Sequence, residues 1–472
     1  MNARADYRTL LIQKTFWLFI GRAMPFIVLF LITILYSRGL TYTDYGIFQS
    51  VWMYANIINV IISFGFSSLI FSTNLSFLFS FIKNNRKLIT GFYIVLWTTG
   101  LTIFFFVAKN FTTPQKFLLI AFIVVQNVIT VAEALLIKRH REKLSFIINF
   151  FYSLFFFGWH LYILVSAYSL VNLITGIIII SILKLIAILL VPLKSVNFEE
   201  AGGEKHFISH WSYLGMSEVL GVISKWIDKV FLLYLLTVSD FAIFFNGAFE
   251  IPLFGLLISV AGSLMLIEFS ANITLHNKIQ ALFRESFKML STIVFPLFFF
   301  LFFFREEIFS IIFKEKYNAS LPIFAISIFI LPLRINNYSV ILQSFSQGKK
   351  IMTGSLIDIV LALVLMIILY PFMGTKGIAL AVVISTYCQV FYYLYHSAAI
   401  LKIPISKLLP VQNLFIKFGI MFILYLVIFL LLQNSSMHLK LLVAALLTTL
   451  VTGIGMWGYF KTFLKNNHGY TS

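Results

Sequence analysis

The stretch TYTDYGIF at residues 41–48 recurs as TVSDFAIF at residues 237–244. Thr, Asp, Ile and Phe keep their places, while Tyr42 becomes Val238, Thr43 becomes Ser239, Tyr45 becomes Phe241 and Gly46 becomes Ala242. A second pair, WLFIG at 17–21 and WSYLG at 211–215, precedes the first by a comparable distance. The offset is 194 residues for one pair and 196 for the other, so a two-residue insertion separates them. Two matches in the same order imply an internal repeat of about 195 residues, and the fold follows from what lies between the copies.

What lies between is membrane. Of the 472 residues 60% are hydrophobic, 55 are Phe and only 11% are charged, more apolar surface than a soluble core of this length can hide. The apolar runs are long enough to cross a hydrocarbon layer of about 30 Å, which takes roughly 20 helical residues. FPLFFFLFFF at 295–304 and IIIISILKLIAILL at 177–190 are apolar on every face, which excludes the alternating pattern of a transmembrane barrel. Fourteen helices are expected: 15–36, 47–71, 88–108, 117–137, 145–166, 169–192, 211–236, 241–267, 286–305, 318–346, 351–372, 377–401, 412–432 and 438–460. No cleavable signal peptide follows from the first run. The single Cys388 lies inside an expected helix, so disulfide, zinc-cluster and CxxC readings fall away.

Helix seven is the one that hydropathy alone would miss, because it carries Glu218, Lys225, Asp228 and Lys229. Charge parity restores it. With both termini cytoplasmic, fourteen helices place most Lys and Arg on the cytoplasmic side; without the seventh, Lys278, Arg284, Lys288, Lys349, Lys350, Lys402 and Lys407 face outward, against the orientation set by KRHREK at 138–143. The net charge of +18 then reflects topology and anionic lipid, with no nucleic-acid partner required. Six helices separate the two copies of the motif, so the halves share one orientation. The expected fold is an all-α integral membrane protein of about 14 transmembrane helices. Two parallel six-helix lobes (1–6 and 7–12) surround a central cavity, and helices 13–14 are added. The corresponding divisions are residues 1–205, 206–401 and 402–472.

Five stretches together carry a family resemblance: SRGLTYTDYGIF, WIDKVFLLYLLTVSDFAIF, IFKEKYNASLPIFAI, QSFSQGKKI and GTKGIALAVVIS. In this order the chain resembles the polysaccharide-export members of the MOP superfamily, above all the Wzx-type O-antigen or capsule flippases. The resemblance spans nearly the whole chain. It implies a V-shaped two-lobed fold and transfer of an undecaprenyl-pyrophosphate-linked oligosaccharide to the outer leaflet of a bacterial cytoplasmic (inner) membrane. It also implies membrane lipids, a polysaccharide polymerase and a chain-length regulator as partners. The chain departs from the pattern at Lys314 or Glu315 and at Ala242, where the family often has Gly.

Charges at membrane depth point to function on their own, because each is expensive unless it meets protein, water or substrate. Lys225 and Lys229 are four residues apart on helix seven, and Asp228 is placed to pair with Lys225. Arg22, Lys184 and Arg334 are further deep cations. Arg22, Lys225, Lys229 and Arg334 suit a pyrophosphate headgroup, since Arg offers paired donors and Lys a point charge. Lys184 is equally a snorkelling side chain, and Lys417 is expected to snorkel to the cytoplasmic surface. The deep acids are Glu133, Glu218, Asp228, Glu250 and Asp358. Glu250, beside Pro252, and Asp228 are the candidates for proton coupling, and capping of a kink accounts for Glu250 equally well. His160 is more simply a hydrogen-bonded packing residue than a relay. Trp52 and Tyr54 are expected as interface anchors, while Asn336 and Asn337, beside Arg334, are candidates for sugar contact.

Three classes of function compete. A flippase for a lipid-linked oligosaccharide fits the repeat and the cations. A small-molecule or multidrug exporter would favour deep acids over deep cations. A polymerase or glycosyltransferase would need a larger outer loop than residues 306–317 and a pair of acids in it. No GxxxxGK[ST] loop is present, and neither a cofactor nor a metal is expected.

Overall fold

The computed structural model of the chain describes Gly21 and residues 24–139, 141–166, 168–192, 204–248 and 272–468, with scattered positions between 255 and 269. All regular structure among them is helical. The chain divides into two compact units, Met1–Ala242 and Ile243–Ser472. Eleven described helices are long and apolar enough to cross a membrane, and Met24–Gly39 is a shorter apolar helix.

In the first unit the order is α1 (Met24–Gly39), α2 (Tyr42–Ser63), α3 (Phe66–Ser72), α4 (Leu75–Asn84), α5 (Arg86–Val107), α6 (Thr113–Lys138), α7 (Glu142–Val165), α8 (Leu170–Leu189) and α9 (Glu204–Leu235). The charged segment doubted on hydropathy thus forms a continuous helix of 32 residues. Residues 75–84, a loop by hydropathy, form α4, which buries Leu78 and Phe81 against α3 and α9 residues including Trp211. The apolar run expected as one helix over 47–71 breaks at Phe64 and Gly65, both with positive φ. The break is held from α9. The indole of Trp211 donates to the carbonyl oxygen of Phe64 at 3.0 Å, and a Cβ added to Gly65 would stand 2.8 Å from the Cα of Gly215. WSYLG at 211–215 is therefore the clamp on this bend; Trp17 of its sequence mate lies outside the described residues.

The repeated octapeptide folds the same way twice. Thr41 caps α2 by accepting from the backbone N of Asp44 at 3.1 Å, and its hydroxyl donates to the Asp44 carboxylate at 2.6 Å. Thr237 and Asp240 do the same at the start of α10 (Val238–Gly247), at 3.2 and 2.7 Å. Both turns are capping arrangements of the T-x-x-D kind, in which the threonine satisfies an orphan helix N–H and the aspartate favours the positive helix end. The copies also touch: Thr43 Oγ1 and Ser239 Oγ are 3.3 Å apart. Gly46 lies so close to the second copy that an added Cβ would meet the Val238 carbonyl oxygen at 2.4 Å.

In the second unit α11 (His276–Phe303) carries Pro296, packs on α18 (Val411–Leu431) through Phe295, Phe299, Phe418 and Phe422, and also packs on α19 (Met437–His468). After α12 (Arg305–Phe313), residues 315–335 wind as two 3₁₀ segments around α13 (Leu321–Ser327), the second containing Pro332 and losing helical geometry at Arg334. Then come α14 (Val340–Ser344), α15 (Gly348–Met373), α16 (Thr375–Leu401) and α17 (Ile405–Leu408).

Candidate functional site

On α9 Asp228 and Lys229 are buried, while Lys225, one turn earlier, is exposed. Lys229 Nζ donates to Asp228 at 2.9 and 3.2 Å, with both side chains about nine-tenths buried. Asp228 thus pairs with its immediate neighbour Lys229. Lys225 and Lys229 both lie near the ring of Trp226, at 5.9 and 5.7 Å from its centroid, within reach of the ring's negative face. Two ammonium groups and one carboxylate therefore share a turn of α9. Glu218, on the same helix, accepts from the hydroxyl of Ser68 on α3.

In the second unit, Arg334 sits where the Pro332 segment ends. Buried Asn336 donates to Ser286 Oγ on α11 at 2.7 Å and accepts from the Asn337 backbone N at 2.9 Å. The side-chain Oδ1 of Asn337 accepts from the backbone N and the hydroxyl of Ser339 at 3.1 and 2.9 Å. Both amides brace the break in the helix. Asp358 is buried on α15. Arg22 and Glu250 lie outside the described residues.

Lys184 is not a snorkelling side chain. Its ammonium is 3.1 Å from Glu133 of α6 and 2.7 Å from Asn149 Oδ1 of α7, and lies 4.7 Å from the Tyr152 ring centroid. Asn149 and Ser145 also donate to the Glu133 carboxylate, Ser145 at 3.2 Å. The reason is reach: three helices converge here, so neutralising the charge inside the protein is easier than extending it out. Lys417 likewise stays inside, donating to the Lys288 carbonyl oxygen and to Thr292 Oγ1 (2.8 Å) of α11. His160 is a packing residue: Nδ1 is 2.9 Å from the Tyr36 hydroxyl, among Tyr36, Phe48 and Phe156. Trp52 is in the middle of α2, packed edge-on to Phe48, Phe122 and Phe156, and is no interface anchor.

A polar cavity of about 230 Å³, which the charge pattern does not reveal, lies inside the first unit, bounded by α1, α2, α6, α7 and α8. Its polar lining is Trp52, Asn56, Asn59, Gln126, Tyr152 and Ser153, with Lys184 on one wall. Gln126 reaches Ser181 Oγ at 3.0 Å and the Tyr152 hydroxyl at 3.3 Å, and Asn59 accepts from Asn127 at 2.9 Å. The signal was present as amides and hydroxyls inside apolar helices, which need partners there. Tyr152 and Lys184 also border an apolar groove of about 580 Å³ between α7 and α8, lined by Phe151, Phe155, Trp159 and Leu183. Among the described residues no cluster of three or more His, Cys, Asp or Glu could hold a metal ion.

No family profile matches the chain, and no curated protein matches it by sequence. Solved structures do match in fold. The lipid II flippase MurJ, in an inward closed conformation, superimposes with a TM-score of 0.69 at 16% identity over 96% of this chain and 100% of its own. A multidrug resistance MATE family transporter of the MOP superfamily, facing outward, gives 0.60 at 15% identity over 83% of this chain and 96% of its own. A MOP superfamily transporter from Pyrococcus furiosus, described as having a binding pocket of reverse polarity, gives 0.61 at 14% identity over the same shares. The chain is therefore a multi-pass helical membrane protein with the MOP transporter fold. At these identities the likeness is one of fold.

Proposed function

We propose that the protein is a flippase that moves a lipid-linked oligosaccharide, carried on undecaprenyl pyrophosphate, across a bacterial inner membrane by alternating access. The Lys225, Asp228 and Lys229 group carries this reading: a buried Asp228–Lys229 pair with the exposed Lys225 one turn away sets two cations against one acid on one stretch of helix, which suits a diphosphate and does not suit a cationic drug. The fold it shares with a lipid II flippase over nearly its whole length supports it. In this reading Arg22, Lys225, Lys229 and Arg334 contact the diphosphate, Asn336 and Asn337 brace the break that carries Arg334, and Asp228, Glu250 and Asp358 serve coupling. The moving halves are residues 1–205 and 206–401, with 402–472 added. A charged headgroup faces a barrier of many kcal/mol in hydrocarbon, so a protein path is what such a lipid needs.

The test is complementation of a bacterial strain deleted for its own repeat-unit flippase, read as the surface polysaccharide ladder with membrane protein quantified in parallel. The wild-type chain restores the ladder, while Lys229→Ala and Arg334→Ala each reduce it at normal abundance. One charged-donor contact to phosphate is worth roughly 1.5–3 kcal/mol, enough for a clear graded loss. A full ladder from the Arg22, Lys229 and Arg334 triple alanine variant would show that these cations do not carry the headgroup. Export of cationic drugs by the same strain, without a ladder, would favour the small-molecule exporter.

A further inference from the structure

The polar cavity of the first unit is built like a binding site and has no part in the headgroup scheme above. We propose that it takes one neutral sugar ring. Two buried donors in its wall have no protein partner among the described residues: the hydroxyl of Ser153, whose residue is 1% exposed, and the indole N–H of Trp52. Buried polar groups are ordinarily satisfied, so two unmet donors on residues that line one cavity, beside the amides of Asn56, Asn59 and Gln126, point to a ligand that accepts hydrogen bonds. The cavity holds the space of about eight waters at roughly 30 Å³ each, the scale of a single pyranose.

Charge narrows the class further. Among the described residues no carboxylate lines the cavity, so an inorganic cation finds no counter-charge in them. The one ammonium among the described lining residues, Lys184, is already matched by Glu133 and Asn149, so an anion gains little from it. What remains is a set of amides, hydroxyls and an indole between the rings of Trp52, Phe122, Tyr152 and Phe156. That combination suits a molecule with hydroxyls around its rim and apolar C–H faces. Asn56, which is exposed, marks where the cavity opens. This site deepens the transport reading, on which the identification of the sugar as part of a cargo rests.

The only native thiol, Cys388, is exposed and lies in the second unit, so a cysteine introduced at the exposed position 56, at the mouth of the cavity, reports the cavity alone. Purified protein carrying Asn56→Cys and Cys388→Ser is labelled with N-ethylmaleimide in the presence of methyl glycosides of glucose, galactose and N-acetylglucosamine, or of sodium chloride. At least one glycoside should slow labelling while leaving Cys388 of the wild type unaffected, and Asn59→Ala should raise the concentration it needs about tenfold, as loss of one hydrogen bond predicts. Glycoside titration of tryptophan fluorescence provides a second readout: the change should occur in the wild type and vanish in Trp52→Phe. If no glycoside slows labelling or alters Trp52 fluorescence, or if sodium alone does so, the proposal is overturned. Complementation reports separately. A restored ladder without sugar protection would refute this site and leave the flippase standing, and protection without a ladder would do the reverse.

Discussion

Lys184 and Glu133 show what a buried charge costs when its partner is removed. Their ion pair joins α8 to α6, with Asn149 of α7 bonded to both. Breaking a buried pair by deleting one member costs about 3–5 kcal/mol, whereas replacing both by neutral groups of similar shape is far milder. Lys184→Met should therefore lower the thermal midpoint of the purified protein strongly, and adding Glu133→Gln should recover most of the loss. If the single and double variants melt together, the pair is not structural. The sequence shows which charges are deep but not what they meet. Spacing along a helix identifies neighbours within one turn, as it does for Lys225, Asp228 and Lys229. The partners of Lys184, 35 and 51 residues away, leave no local pattern at all.

At the scale of the element, most long helices were legible from hydropathy, because a membrane span needs a minimum apolar length and tolerates few charges. Breaks and short amphipathic pieces were not. The bend at Phe64 and Gly65 lies inside an unbroken apolar run and depends on Trp211 and Gly215 from a distant helix. The capping octapeptide was legible as a repeat, while its contact with its own copy was not. That contact makes Gly46 specific. Gly46→Val would drive a side chain into the Val238 carbonyl, so it should destabilise the protein by about 1–3 kcal/mol and reduce its abundance in the membrane. An unchanged melting midpoint would mean that the two turns can separate freely. Lys314 gives the opposite sign. It ends α12 with φ of 57°, a conformation that favours glycine. Lys314→Gly should raise stability by up to about 1 kcal/mol, measured as a higher thermal midpoint; a fall would show that the lysine side chain holds this turn.

For the molecule as a whole, the topology turns on α9. Its 32 residues form a helix long enough to cross a bilayer, yet Glu218, Lys225, Asp228 and Lys229 keep it off the set of apolar spans. Burial of Asp228 and Lys229 as a pair lowers the cost of placing them at membrane depth, and the charges on later loops require a crossing here to stay on one side. If α9 spans, the two copies of the octapeptide lie at the same membrane surface. Their hydroxyl-to-hydroxyl approach between Thr43 and Ser239 demands this independently of any charge rule. We therefore predict that alkaline phosphatase fused after residue 316 is active, being outside, and that the same enzyme fused after residue 350 is inactive, being inside. An inactive fusion at 316 together with an active one at 350 would mean that α9 does not cross. The parallel repeat, and with it the equivalence of helices one and seven on which the shared cation path depends, would then have to be given up.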